Sequence, residues 1–140
     1  MTPSEKRTIL IVDDEPSIRM FSRAALTAAG YQASEAADAG AATRAVRSAT
    51  RPFDLVLLDL SLPDAGGADL IPEVRASSPD TRVLLVSGSH EDDAAGLDHD
   101  GFLNKPFTRT ALLDAVRNGQ RAPVAREPMT VDELRGKRIG

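Results

Sequence analysis

The chain has 140 residues and a mass of 14.9 kDa, with 41% hydrophobic, 27% charged and only 4% aromatic residues. That is enough for one domain and about twenty residues beyond it. It contains no cysteine, which excludes disulfides, thiolate catalysis and cysteine zinc sites, and only two histidines, His90 and His99, which excludes a multi-histidine metal centre.

Apolar runs such as Ile9–Val12 and Leu55–Leu58 fall far below the roughly 18 residues that a membrane span needs. No apolar stretch of the secretory type follows Met1–Arg7, so the expected location is the cytoplasm, with no membrane contact. The net charge of −4 is unevenly shared: residues 1–120 hold 12 Lys/Arg against 18 Asp/Glu, and residues 121–140 hold 5 against 3. An acidic body of this kind argues against nucleic-acid binding.

Apolar runs alternate with helical patterns along the chain. Thr8–Val12 is continuous and β-branched, which predicts a strand buried on both faces. Asp13, Asp14, Glu15 and Pro16 follow, and Pro16 suits a helix start. Ser17–Ala29 predicts a helix through Ile18, Phe21, Ala25 and Ala28, stopped by Gly30. Tyr31–Glu35 reads as a weaker strand, and Asp38 as the N-cap of a helix reaching about Ala49. Phe53–Leu58 is a second buried strand, ending at Asp59. A turn-forming cluster, Leu62–Gly67, precedes a helix over 68–76, in which Pro72 marks a bend or a later start. Thr81–Val86 is a third buried strand, ending at Ser87 and Gly88. His90–Leu97 leaves room for about two helical turns. Gly101–Asn104 is a short strand before Lys105, and Thr108 caps a last helix reaching about Asn118.

Five strands alternating with five helices predict an α/β domain with a parallel sheet and helices on both faces. In open α/β sheets ligands bind outside the carboxyl ends of the strands. Asp13 and Asp14 leave the first strand there, Asp59 the third, Ser87 the fourth and Lys105 the fifth. Three clustered carboxylates repel one another unless cations or protons neutralise them. A hard divalent ion such as Mg²⁺ is the natural partner. Mg²⁺ and an ammonium around an aspartate suit phosphoryl transfer, with the aspartate as nucleophile.

Four segments in order, Ile9–Pro16 (ILIVDDEP), Asp54–Pro63 (DLVLLDLSLP), Val83–Gly88 (VLLVSG) and Gly101–Phe107 (GFLNKPF), resemble the CheY-like receiver domain of two-component response regulators. The resemblance spans residues 7–119. It implies a five-stranded sheet of order 2-1-3-4-5, with Asp59 as phosphoacceptor. It further implies that Asp14 binds Mg²⁺ directly, that Asp13 helps, often through water, and that Asp59 and the Ser61 backbone carbonyl complete the protein ligands. Ser87 falls at the switch hydroxyl position, and Gly88 leaves room over the acceptor. Lys105 pairs with the phosphoryl group, and its bond to Pro106 is commonly cis in the family. Phe102 matches the switch aromatic, although a phenylalanine in a short strand also has an ordinary core role.

The chain departs from the family between Ser87 and Lys105, where 18 positions are a few fewer than receivers usually have. The fourth of the five helices, at 90–97, is therefore expected to be short, and dimerisation through its face is expected to change. Residues 120–140 form a tail too short for an output domain. Within the tail, Thr130 and Glu133 form a capping box flanked by Met129 and Leu134. This predicts a short helix over 131–137 that either docks or belongs to a linker.

The function expected from all this is a single-domain regulator, monomeric or dimerising on phosphorylation. It takes a phosphoryl group from a histidine kinase or phosphotransfer protein and signals by contact with a downstream protein, rather than acting as an enzyme on another substrate. By family analogy the donor docks near Glu15, Ile18, Arg19 and the loop after Lys105. The alternatives are a phosphorylation-independent scaffold of the same fold and a haloacid-dehalogenase-like phosphatase. The latter needs a second acid two positions past its nucleophile, where this chain has Ser61. A flavodoxin-like flavin binder is disfavoured because Asp13, Asp14 and Glu15 would repel the flavin phosphate.

Overall fold

In a computed structural model of the chain, residues 7–62, 67–88 and 96–119 are described. Strand β1 (Thr8–Val12) leads into helix α1 (Pro16–Ala28), with Pro16 at its first helical position, where the missing N–H costs nothing. Gly30 ends α1 at φ +101. The Gly30 amide donates to Thr27 and the Tyr31 amide to Leu26, the double bond of a Schellman stop. Strand β2 (Gln32–Ala36) follows, one residue later than the pattern suggested, and then α2 (Ala39–Ser48), capped by Asp38 through a 2.7 Å bond from the Ala41 amide.

Strand β3 (Leu55–Asp59) is buried along its whole length, as is β4 (Arg82–Ser87). Between them Gly67–Asp69 forms a 3₁₀ turn, and α3 runs from Leu70 to Ser77. The helix predicted from residue 68 therefore starts later. Pro72 explains the shift: it is tolerated in a first turn, whose amides have no partner within the helix, but not deeper. Strand β5 (Gly101–Asn104) and helix α4 (Arg109–Gly119) complete the described chain. The Thr108 hydroxyl accepts the Ala111 amide at the start of α4, as expected.

Most of the short helix expected at 90–97 lies outside the described residues, as does the one at 131–137. The far end of the first needs correction. Gly96 has φ +84 in a turn and Leu97 lies in a bend, so helical geometry does not reach Leu97.

All strand pairs are parallel, in the order β2-β1-β3-β4-β5. Successive side chains on a strand point to opposite faces, and the core divides accordingly. Leu10, Val12, Val56, Leu58, Val83 and Leu85 pack with residues of α2 and α3. Ile9, Ile11, Leu55, Leu57, Leu84 and Val86 pack with residues of α1 and α4. Among the described residues no helix is long and apolar enough to cross a membrane.

Candidate functional site

Parallel register brings the strand ends together. Val12 pairs with Leu58, Asp59 with Val86, and Ser87 with Asn104. The next residues along β1 and β5 are Asp13 and Lys105, so both emerge at the same rim as Asp59. Asp13, Asp14 and Asp59 each present a carboxylate oxygen, and these oxygens lie within 4.8 Å of one another. Asp13 and Asp59 are buried, whereas Asp14 is exposed.

The Lys105 ammonium sits among them. It lies 2.9 Å from Asp13 Oδ2, 3.3 Å from Asp59 Oδ2 and 2.8 Å from Glu15 Oε1. Backbone amides fix the carboxylates: Glu15 N–H donates to Asp13 Oδ1 at 2.9 Å, and Ser61 N–H to Asp59 Oδ1 at 3.0 Å. The Ser61 hydroxyl donates to the same Asp59 oxygen.

Burial pushes the Asp13 carboxyl above its ordinary value, while the Glu15 amide and Lys105 pull it back. Burial also opposes charge on Lys105, but its bonds to Glu15 and Asp13 outweigh that and hold the ammonium well above the ordinary lysine range. Both partners of one ion pair are thus raised. For Asp13 the main cause is burial, to which the neighbouring Asp59 charge adds, and the single ammonium does not offset both. The site is short of positive charge, and its donors are all hard oxygens. That combination fits a small divalent cation, with Asp13, Asp14 and Asp59 as the residues able to hold it.

Ser87 is buried at the end of β4, and its carbonyl accepts the Lys105 amide at 2.8 Å. Gly88 is exposed, with open space where a Cβ would stand. The Lys105-Pro106 bond is cis. Phe102 is half-buried and packs against the α2/α3 core.

Two contributors were not assigned to the site from sequence. Glu15 is the closest of the three carboxylates to Lys105, and Gly67 packs on the backbone of Asp59. The Leu62–Gly67 cluster signalled a turn but not which glycine the strand end would touch.

The family model for the response regulator receiver domain matches residues 9–117. The chain belongs to that family. The receiver domain is 40% identical over 102 residues to the KDP operon transcriptional regulatory protein KdpE of Escherichia coli, covering 71% of this chain and 44% of that protein. It is 36% identical over 118 residues to the sensor kinase CckA of Brucella abortus, covering 81% of this chain and 12% of CckA. The chain thus spans less than half the length of either relative. Among solved structures, a CheY-like receiver domain protein from Methanospirillum hungatei superposes with a TM-score of 0.76 at 26% identity, covering 83% of this chain and 94% of that one. The response regulator TrrA of Thermotoga maritima, solved in complex with Mg²⁺ and BeF, superposes with a TM-score of 0.72 at 28% identity, covering 81% and 98%.

Proposed function

We propose that this receiver domain accepts a phosphoryl group on Asp59 from a phosphohistidine of a histidine kinase or phosphotransfer protein. The observation that carries the reading is the convergence of Asp13, Asp14 and Lys105 on Asp59. An Asp59 carboxylate oxygen attacks phosphorus, the phosphorus–nitrogen bond to the donor imidazole breaks, and the imidazole keeps the electron pair. The product is an acyl phosphate.

Asp13, Asp14, Asp59 and the Ser61 carbonyl are the groups proposed to hold Mg²⁺. When bound, Mg²⁺ neutralises charge that develops on the phosphoryl oxygens. Lys105 supplies the second positive charge, and the amide and hydroxyl of Ser61 hold Asp59 in place for attack. The Ser87 hydroxyl donates to a phosphoryl oxygen. Its movement, together with Phe102, shifts the domain between two states that a downstream protein distinguishes.

The open face of α1 is the docking site proposed for the donor. Met20 there is 70% exposed and Phe21 41%, and the Phe21 ring lies 6.1 Å from that of Phe107, in the loop after Lys105. Exposed apolar groups of this size on a small domain suit a protein contact.

The test is to add Mg²⁺ with beryllofluoride or a small-molecule phosphodonor to the wild type and to Asp59→Asn. Mg²⁺-dependent modification or complex formation is expected in the wild type alone. No response in the wild type would remove the proposal.

A further inference from the structure

A lysine ammonium has three N–H donors, and Lys105 directs them at three carboxylates: Asp13, Glu15 and Asp59. A phosphoryl oxygen reaching Lys105 must therefore displace one of them. Two have other work under the phosphoacceptor reading, on which this inference rests: Asp59 carries the phosphoryl group, and Asp13 turns to the cation. Glu15 has neither role. It makes the shortest of the three contacts, 2.8 Å, yet its side chain is 55% exposed. It stands at the open edge of the site, directly before α1.

We propose that Glu15 is a built-in competitor for the phosphoryl group, a positioning residue that holds Lys105 in the unmodified protein and repels anions at the mouth of the site. Four carboxylates cluster at this rim, Asp13, Glu15 and Asp59 in contact with the one ammonium and Asp14 beside Asp13 and Asp59. A divalent cation compensates two charges, so an incoming anion still meets net negative charge. Glu15 is the one contributor that can be neutralised without removing a group assigned to the acceptor or the cation. Its backbone amide, which holds Asp13, is kept when the side chain is changed to Gln or Asp. The expected effect is selective: neutralising Glu15 favours anion binding and leaves cation binding nearly as it was.

The experiment titrates the full chain, as wild type, Glu15→Gln and Glu15→Asp, first with Mg²⁺ alone and then with beryllofluoride at saturating Mg²⁺. Glu15→Gln is expected to bind beryllofluoride roughly threefold to fivefold more tightly, the scale of a partly exposed ion pair. Its Mg²⁺ affinity should fall by no more than about twofold, the effect of one lost charge near the surface. Glu15→Asp keeps the charge and should bind beryllofluoride as the wild type does. Equal or weaker beryllofluoride binding by Glu15→Gln, beside a wild type that binds normally, overturns the competitor role alone. A loss of about tenfold or more in Mg²⁺ affinity for Glu15→Gln also overturns it, because Glu15 would then be part of the cation site. A wild type that binds neither ion overturns the phosphoacceptor reading, and this inference with it.

Discussion

Gly67 lies against the backbone of Asp59. A Cβ at position 67 would stand 2.1 Å from the Asp59 carbonyl oxygen and 2.9 Å from the Leu60 Cα. The Gly67 amide also donates to the Leu60 carbonyl at 3.1 Å. The obstacle is backbone on both sides, so neither partner relieves the clash by changing rotamer. Gly67→Ala is expected to cost about 1–3 kcal/mol in urea unfolding and, by displacing Asp59, to weaken beryllofluoride binding about tenfold or more. Unchanged stability and binding would show that the turn yields freely.

Lys105 is a cation among the carboxylates proposed to hold another cation, so its removal should affect the two ligands in opposite directions. Lys105→Met frees Asp13 and Asp59 and is expected to raise Mg²⁺ affinity, by about fivefold for the loss of one competing charge. The same variant loses the ammonium that meets the phosphoryl group, and beryllofluoride affinity should fall about tenfold or more. Calorimetric titrations with each ligand check both signs. A fall in Mg²⁺ affinity would contradict the competition.

Asp98 and Asp100 both meet the Arg75 guanidinium, but burial makes them unequal. Asp98 is 71% exposed, whereas Asp100 is 4% exposed, faces Arg82 as well and accepts the Val83 amide at 2.9 Å. An exposed pair contributes little, and Asp98→Ala should change unfolding free energy by about 0.5 kcal/mol or less. Asp100→Ala leaves the nearly buried Arg82 without this partner and the Val83 amide without its acceptor, for a cost of about 2–4 kcal/mol. Comparable costs for the two, measured by urea unfolding, would contradict the ordering.

Ser22, fully buried in α1, carries a hydroxyl without a hydrogen-bond partner, the single such side-chain atom among the described residues. Ser22→Ala removes the unmet desolvation cost and replaces serine by a better helix former, so a gain of about 1 kcal/mol is expected in thermal or urea unfolding. A loss of stability would mean that the hydroxyl finds a partner in solution.

The strands and the site were legible for the same reason. β1, β3 and β4 are runs of apolar residues because both their faces are covered, and each run ends where a polar residue meets the rim, at Asp13, Asp59 and Ser87. Asp38, Thr108 and Gly30 announced helix ends through local chemistry that needs no distant partner. The misjudged boundaries were those that local pattern leaves open. β2 alternates weakly at the sheet edge, and the 3₁₀ turn before α3 places Pro72 within its tolerance.

By itself the sequence determined the alternation of strands and helices and the kind of chemistry available, because periodicity and residue type act over a few neighbouring positions. Only the tertiary structure decided that Glu15 takes the third Lys105 donor and that Gly67 presses on Asp59. Lys105 lies 90 positions from Glu15, and no local pattern specifies a distance across that separation. Parallel register, set by packing on both faces of the sheet, is what closes it.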